Sequence, residues 1–202
     1  AIALSNDAVK LAVSMININE GSVKSTIAFY NYGTVGQNEI DHCVGVNNYD
    51  DMVIPEMEFT SNDRMVAFGD TKAVIFEGAQ KPQAIAEIPM DEKTKSIFYN
   101  EHYIGIVTGN EDEAVTNHLA VYDENGKLVM EKDFGLDYSS IEFLTNNEIC
   151  IRNANVCDIY TVHGVYKFHH EFEEELFEII PGKLKLNYTL VLKDTTQRIR
   201  LK

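Results

Sequence analysis

The chain has 202 residues, of which 45% are hydrophobic and 24% charged. This is the composition of one soluble, globular domain, long enough for folding to remove about 70% of the unfolded chain's surface from water. Seventeen Lys and Arg stand against 32 Asp and Glu, a net charge of −15, and so acidic a surface excludes nucleic acid and anionic membrane as main partners.

The opening residues AIALSNDAVKLAVSM carry no basic region ahead of an apolar block, so they are not a signal peptide. Nothing along the chain approaches the ~18 consecutive apolar residues of a membrane span, so this chain is not membrane-embedded. It begins at Ala1 without an initiator Met, which leaves room for upstream residues, a tethering N-terminal helix among them.

From there the chain runs in short alternating segments rich in Val, Ile, Phe and Tyr. They are LAVSMINI (11–18), STIAFYNY (25–32), RMVAFGD (64–70), KAVIFEG (72–78), YIGIVTG (103–109), HLAVYDENG (118–126) and EICIRN (148–153). Period-two patterning without helical periodicity means an all-β fold. The strands repeat. Asn6, Asn62, Asn100 and Asn146, spaced by 56, 38 and 46 residues, each sit in a polar turn ahead of an apolar strand. A second landmark follows, an aromatic residue and then a glycine turn: Phe29-Tyr30 before Gly33, Phe76 before Gly78, Tyr122 before Gly126, Tyr160 before Gly164. In Asp123-Glu124-Asn125-Gly126 the Asn-Gly pair predicts a type I′ hairpin. A fourth strand then returns, as EIDHCVGV (39–46), QAIAEIPM (83–90), KLVMEKDF (127–134) and YKFHHEFE (166–173).

Four antiparallel strands per period of about 40 residues is the blade of a β-propeller, because a lone blade cannot bury both faces and must stack on its neighbours. The repeat units are 1–50, 51–91, 92–137, 138–175 and 176–202, read as a single β-propeller domain over 1–202. The last stops after its third strand, QRIRLK (197–202). Two architectures fit: a closed five-bladed ring completed by AIAL (1–4), or an arc of a larger ring, which is the preferred reading.

The tail YTLVLKDTTQRIRLK and the repeated Ser-Asn-Asp turns resemble the ends of WD40-like and YVTN-like propellers. The chain more closely resembles an uncharacterised family of Gram-positive gut bacteria, whose members look like a membrane helix followed by an extracytoplasmic propeller. The resemblance covers most of the chain. It implies a surface-tethered propeller with nothing catalytic. The Gly-His and Trp-Asp signatures of true WD40 blades are missing, as are kelch double glycines, and the chain has no Trp.

The chemistry-bearing residues form no familiar constellation. His42, His102, His118, His163, His169 and His170 include no HExxH pair, and His169 and His170 point to opposite faces of a strand. The acidic runs at 171–175 and 111–113 lack the spaced pattern of a calcium loop, so 109–113 reads as a solvated hairpin. There is no nucleophile elbow and no glycine-rich phosphate loop, so neither a catalytic residue, a metal nor a cofactor is assigned. Asn187-Tyr188-Thr189 fits a glycosylation acceptor but reads as strand.

Cys150 and Cys157 flank Arg152-Asn153-Ala154-Asn155. A turn at 153–154 would set them directly opposite, either as a cross-strand disulfide in an oxidising compartment or as two buried thiols. Cys43 is expected as a buried free thiol.

The function expected is a non-catalytic binding or scaffold module that contacts an unknown protein partner at the cell surface. Loops on rigid sheets usually hold the partner, so the candidate contacts are Asn110, Glu111, Asp112, Asp123, Asn125 and Asn153, with Tyr49, Tyr99 and Tyr138 as aromatic anchors. The alternatives are a carbohydrate-binding or carbohydrate-active surface propeller and a cytoplasmic assembly scaffold.

Overall fold

The alternating segments become nineteen strands in five antiparallel sheets in a computed structural model, which describes residues 1–19, 21–31, 43–109 and 117–201. The first sheet is β1 (Ile2–Leu4), β2 (Lys10–Asn19), β3 (Ser22–Asn31) and β4 (Cys43–Asp50). The second is β5 (Glu56–Ser61), β6 (Arg64–Phe68), β7 (Lys72–Glu77) and β8 (Gln83–Pro89). The third is β9 (Thr94–Tyr99), β10 (Tyr103–Gly109), β11 (Asn117–Asp123) and β12 (Leu128–Phe134). The fourth is β13 (Ser140–Phe143), β14 (Glu148–Asn153), β15 (Val156–Thr161) and β16 (Tyr166–Glu171). The fifth has three strands, β17 (Leu176–Pro181), β18 (Asn187–Leu192) and β19 (Thr196–Arg200). Within each sheet the strands pair in chain order. The chain divides into two compact units, Ala1–Glu92 with Glu124–Gly126, and Lys93–Asp123 with Lys127–Lys202.

In the first unit, Ala12, Ile27 and Phe29 of the first sheet pack on Met57, Phe59, Met65 and Phe76 of the second. In the second unit the fourth sheet is buried on both faces. Ile149, Ile151 and Tyr160 join Phe98, Val107 and Leu119 of the third sheet, while Cys150, Cys157 and Ile159 join Leu176, Ile179, Tyr188 and Leu190 of the fifth. This is why Ile149-Cys150-Ile151 reads as an unbroken apolar run: a strand covered on both faces has no polar side to alternate with.

The two sequence landmarks have separate structural causes. The asparagine turns join the first two strands of each four-stranded sheet, and they also tie neighbouring sheets together. The Asp7 amide donates to Asn62 Oδ1 at 3.2 Å, and Asn100 Nδ2 donates to Asn147 Oδ1 at 2.8 Å. Asn100 Oδ1 also accepts from the His102 and Tyr103 amides, each at 2.9 Å, which closes its own turn. The aromatic landmark coincides with a register shift between third and fourth strands, at Phe29/Tyr30, Ile75/Phe76, Val121/Tyr122 and Ile159/Tyr160. Such a bulge turns the strand and re-aims the ring. The glycines that follow at 78, 126 and 164 hold positive φ; Gly33 lies outside the described residues.

Several details differ from expectation. The returning strand of the first sheet, expected over 39–46, continues to Asp50; 39–42 lie outside the described residues. The Asp123–Gly126 turn is not type I′. That turn needs positive φ at both central residues, and here only Gly126 has it, at 74°. The hairpin is instead closed by the Asp123 amide to the Lys127 carbonyl at 2.9 Å and by Asp123 Oδ1, which accepts from the Lys127 amide at 3.0 Å. The turn after β14 is Ala154-Asn155, not 153–154, because Asn153 pairs with Val156. Cys157 therefore lies opposite Arg152 and Cys150 opposite Ile159. The two cysteines are diagonal neighbours on one face, free and buried, with their sulfurs 3.7 Å apart. Cys43, expected buried, is exposed.

Candidate functional site

Charge is distributed very unevenly along this acidic chain. Residues 176–202 carry six Lys and Arg against two acidic residues, a net +4, whereas residues 1–175 carry eleven against thirty, a net −19. The cations of the earlier sheets are mostly matched by carboxylates. Lys24 pairs with Asp50 at 3.0 Å, Arg64 with Glu77 and Lys72 with Glu87 at 2.7 Å each, and Lys10 with Asp63. In the fifth sheet Lys183, Lys185, Arg198 and Arg200 are all exposed, and none makes an ion pair among the described residues.

Local geometry gathers these cations. Pro181 ends β17, and the turn Gly182–Leu186 leads into β18. The Gly182 amide donates to the Asn187 carbonyl at 2.7 Å and closes the turn. Leu186 is held at φ 67°, a left-handed conformation that costs a branched side chain energy. The same turn leaves Leu184 73% exposed between two lysines. Two open clefts of about 500 Å³ each meet at this turn. One is lined by Asn146, Glu148, Lys167, Lys183 and Lys185. The other is lined by Tyr188, Thr189, Arg198, Ile199 and Arg200. By contrast, the void beside Phe29, Phe59 and Pro82 holds about 10 Å³, room for at most one water.

The floor of the first cleft is a buried polar network. Glu148, at the start of β14, accepts from Tyr188 Oη at 2.5 Å and from Lys167 Nζ, and Lys167 also lies 3.3 Å from Tyr188 Oη. Burial pulls the Lys167 pKa down, but the bonds to Glu148 and Tyr188 outweigh it and raise the ammonium above its ordinary range. Burial first, and then the Glu148 carboxylate, raise the Tyr188 phenol. The three side chains are hydrogen-bonded to one another, which fixes the floor of the cleft.

Of the residues picked from the sequence, those described lie at separate turns. Asn110, Glu111 and Asp112 lie outside the described residues. Asp123 caps its own hairpin as described, and Asn125 sits in that turn. The third sheet's first and third turns share an end, the end of Asn100 and Asn147, and the β11–β12 turn is the third. Asn153 is half-buried at the β14–β15 turn, at the opposite end of the fourth sheet. The proposed aromatic anchors Tyr49 and Tyr138 are packed. Tyr49 packs against the first unit's core under Lys72, and Tyr138 packs against Phe134 with its hydroxyl 2.7 Å from Ser96 Oγ. Turn asparagines and acids, the usual marks of a contact loop, do not point to the fifth-sheet cluster. The charge reversal after residue 175 was the available signal.

Among the described residues no group of three His, Cys, Asp or Glu could hold a metal, and no helix is long and apolar enough to cross a membrane. His169 meets Asp158 at 2.7 Å while His170 stacks with Phe168 and Phe172, so the adjacent histidines do face opposite ways.

Five antiparallel sheets of three or four strands, each paired in chain order, make this an all-β protein of the β-propeller class. The chain belongs to the family of unknown function DUF5711, whose model matches residues 1–201. No curated protein matches it. Among solved structures, it is similar to the β-propeller domain of the Trilobed protease from Pyrococcus furiosus, at 10% identity and a TM-score of 0.55, covering 98% of this chain and 69% of that one. It is similar to Kluyvelomyces marxianus Hsv2, at 8% identity and a TM-score of 0.52, over 98% and 70% of the two chains. It is also similar to the Neurospora crassa Pan2 WD40 domain, at 6% identity and a TM-score of 0.51, over 98% and 60%. The chain thus spans 60% to 70% of the length of these three propellers. At such identities the likeness carries the fold alone.

Proposed function

We propose that this chain is a non-catalytic interaction module that holds a protein partner, with the Gly182–Leu186 turn forming part of the contact. The observation that carries this reading is the cluster of four cations that have no carboxylate partner among the described residues, in a chain of net charge −15. Like charges held close together repel one another, and a partner's carboxylates would relieve that repulsion. Leu184 adds an exposed apolar side chain to the same turn. The fold supports the reading, since propeller sheets are rigid platforms whose turns are free to vary. A glycan site would bring aromatic rings and carboxylates to one face. Half of the residues lining these clefts are Lys, Arg or Leu, and the ring and carboxylate among the rest, Tyr188 and Glu148, are bonded to each other rather than turned to a ligand, which favours protein. The family resemblance supports placement at the bacterial cell surface.

The test is site-specific photocrosslinking in the source cells from position 184 and, as a control, from the exposed position 128 on β12. The expected result is a discrete protein adduct from 184 only, lost in a Lys183→Glu/Lys185→Glu variant. Equal adducts from both positions, or turnover of a glycoside, peptide or phosphoester panel by the purified chain, would overturn the reading.

A further inference from the structure

Within each unit, neighbouring sheets are tied where the turns between their first two strands meet. In the first unit the Asp7 amide reaches Asn62, and in the second Asn100 reaches Asn147. The fourth and fifth sheets lack that tie. Among the described residues no hydrogen bond joins Asn146 or Asn147 to the Gly182–Leu186 turn, and Asn146 lines with that turn a cleft of about 500 Å³. The two sheets are joined instead on the cleft floor, where Glu148 and Lys167 meet Tyr188. The side-chain atoms left over in this cleft are mostly donors. Both oxygens of the Glu148 carboxylate are taken, one by Lys167 and one by Tyr188. Asn146 Oδ1 accepts from the Glu148 amide at 3.3 Å, which leaves the Asn146 side-chain N–H groups. An ammonium has three donors and no acceptor. Lys167 therefore keeps one donor, and Lys183 and Lys185 keep all of theirs among the described residues. Glu148 offsets Lys167, so the uncompensated charge of the cleft is that of Lys183 and Lys185.

We propose that this cleft takes a pair of carboxylates beside an apolar residue of the partner protein, carried either at its C-terminus or within its chain. The proposal rests on the interaction-module reading and names the group that the partner inserts. Donors without acceptors call for a ligand that only accepts, which an ionised carboxylate does. Two uncompensated ammoniums call for two negative charges, since a single one would leave a cation unpaired in the contact. Lys183 and Lys185 stand on either side of Leu184, which is 73% exposed. A compact anion such as phosphate would use the lysines and leave Leu184 bare, whereas a peptide uses all three. Tyr188 is a positioning residue. Its hydroxyl occupies one oxygen of Glu148, which would otherwise turn an unpaired carboxylate oxygen toward the ligand and repel it.

The experiment measures binding of labelled, otherwise uncharged synthetic peptides to the full chain by fluorescence anisotropy. The first peptide ends in Leu-Asp with a free C-terminus and so carries two carboxylates. The second is the same peptide amidated, which leaves one. The third is amidated and carries Glu-Leu-Glu within its chain, and the fourth replaces both glutamates by Gln. The first, the third or both should bind about fivefold more tightly than the second and fourth, and more weakly as salt rises. Binding of the first alone would place the pair at a C-terminus, and binding of the third alone would place it within a chain. Lys183→Ala/Lys185→Ala should weaken that binding about fivefold. Tyr188→Phe should weaken it too, although every lysine is kept, while Lys193→Ala, in the turn at the other end of the fifth sheet, should leave it unchanged. A cooperative urea melt checks that each variant is folded. Full affinity in folded Tyr188→Phe would mean plain attraction to surface lysines and overturn the cleft. Equal binding of all the peptides would overturn the carboxylate pair, and so would displacement of the bound peptide by inorganic phosphate at the peptide's own concentration. A discrete protein adduct at position 184 together with no binding of any peptide would sink the carboxylate pair and leave the module reading standing.

Discussion

Ala154 is the first residue of the two-residue turn between β14 and β15, and its φ is 47°. Positive φ at the first central residue belongs to the primed hairpin turns, in which that position favours glycine. The left-handed conformation costs an L-residue roughly 1–2 kcal/mol, and glycine's extra freedom in the unfolded chain returns about 0.5–1 of that. Ala154→Gly should thus stabilise the chain by about 0.5–1 kcal/mol, read as a higher urea midpoint at unchanged slope. The exposed Ala154 side chain has little packing to lose. The three thiols offer a second test at this scale. Cys43 is exposed, whereas the hydrogen bond of Cys157 with Cys150, and then burial, hold Cys157 protonated. A maleimide should label one thiol per native, reduced chain quickly and the other two only on unfolding. Rapid labelling of all three would show that the fourth and fifth sheets do not stay packed. Arg152 shows how one side chain joins two sheets: it pairs with Glu142 at 2.7 Å and donates to the Phe177 carbonyl.

In the strand elements, side-chain pairing across a sheet matters as much as strand propensity. Gly105 lies opposite Phe98 in the β9–β10 pair, and the Phe98 ring covers the place where a β-carbon would stand. That ring then packs, tilted by 42°, against Phe143 of the fourth sheet, with centroids 4.5 Å apart. A glycine in a strand interior normally weakens it; here it admits the ring that joins two sheets. Gly105→Ala should cost about 1–3 kcal/mol by overpacking, and adding Phe98→Leu should recover part of the loss, a coupling that a double-mutant cycle would read. Simple additivity would mean that Phe98 does not occupy that space. The bulge at the third strand's aromatic, present in all four four-stranded sheets, was legible only as an aromatic-then-glycine spacing. The extra residue itself shows only once two strands are paired.

For the whole molecule, pH provides the broadest prediction. Burial, and then Glu87, push the Tyr49 phenol up to about 12, and burial likewise raises Tyr122, Tyr160 and Tyr188. These groups stay neutral in the fold while the unfolded chain begins to ionise near pH 10, so stability falls as pH rises from about 10 toward 12. Lys167, raised by Glu148 and Tyr188 against the opposing effect of burial, acts in the same direction: its contribution is complete below its ordinary pKa and is lost above its folded one. Urea midpoints measured across that range should decline steadily, and a flat profile to pH 12 would show that these side chains are solvated. What the sequence by itself determined was the all-β class, the asparagine turns, the aromatic–glycine spacing and the acidity. These are local signals: strand period, turn chemistry and composition act between residues near one another in the chain. Tertiary structure decided which cations have no carboxylate partner among the described residues, that Cys150 and Cys157 are diagonal rather than opposite, and that the fourth sheet is covered on both faces. Each of these depends on which strand lies beside which and in what register, and a slip of one residue turns every side chain to the other face.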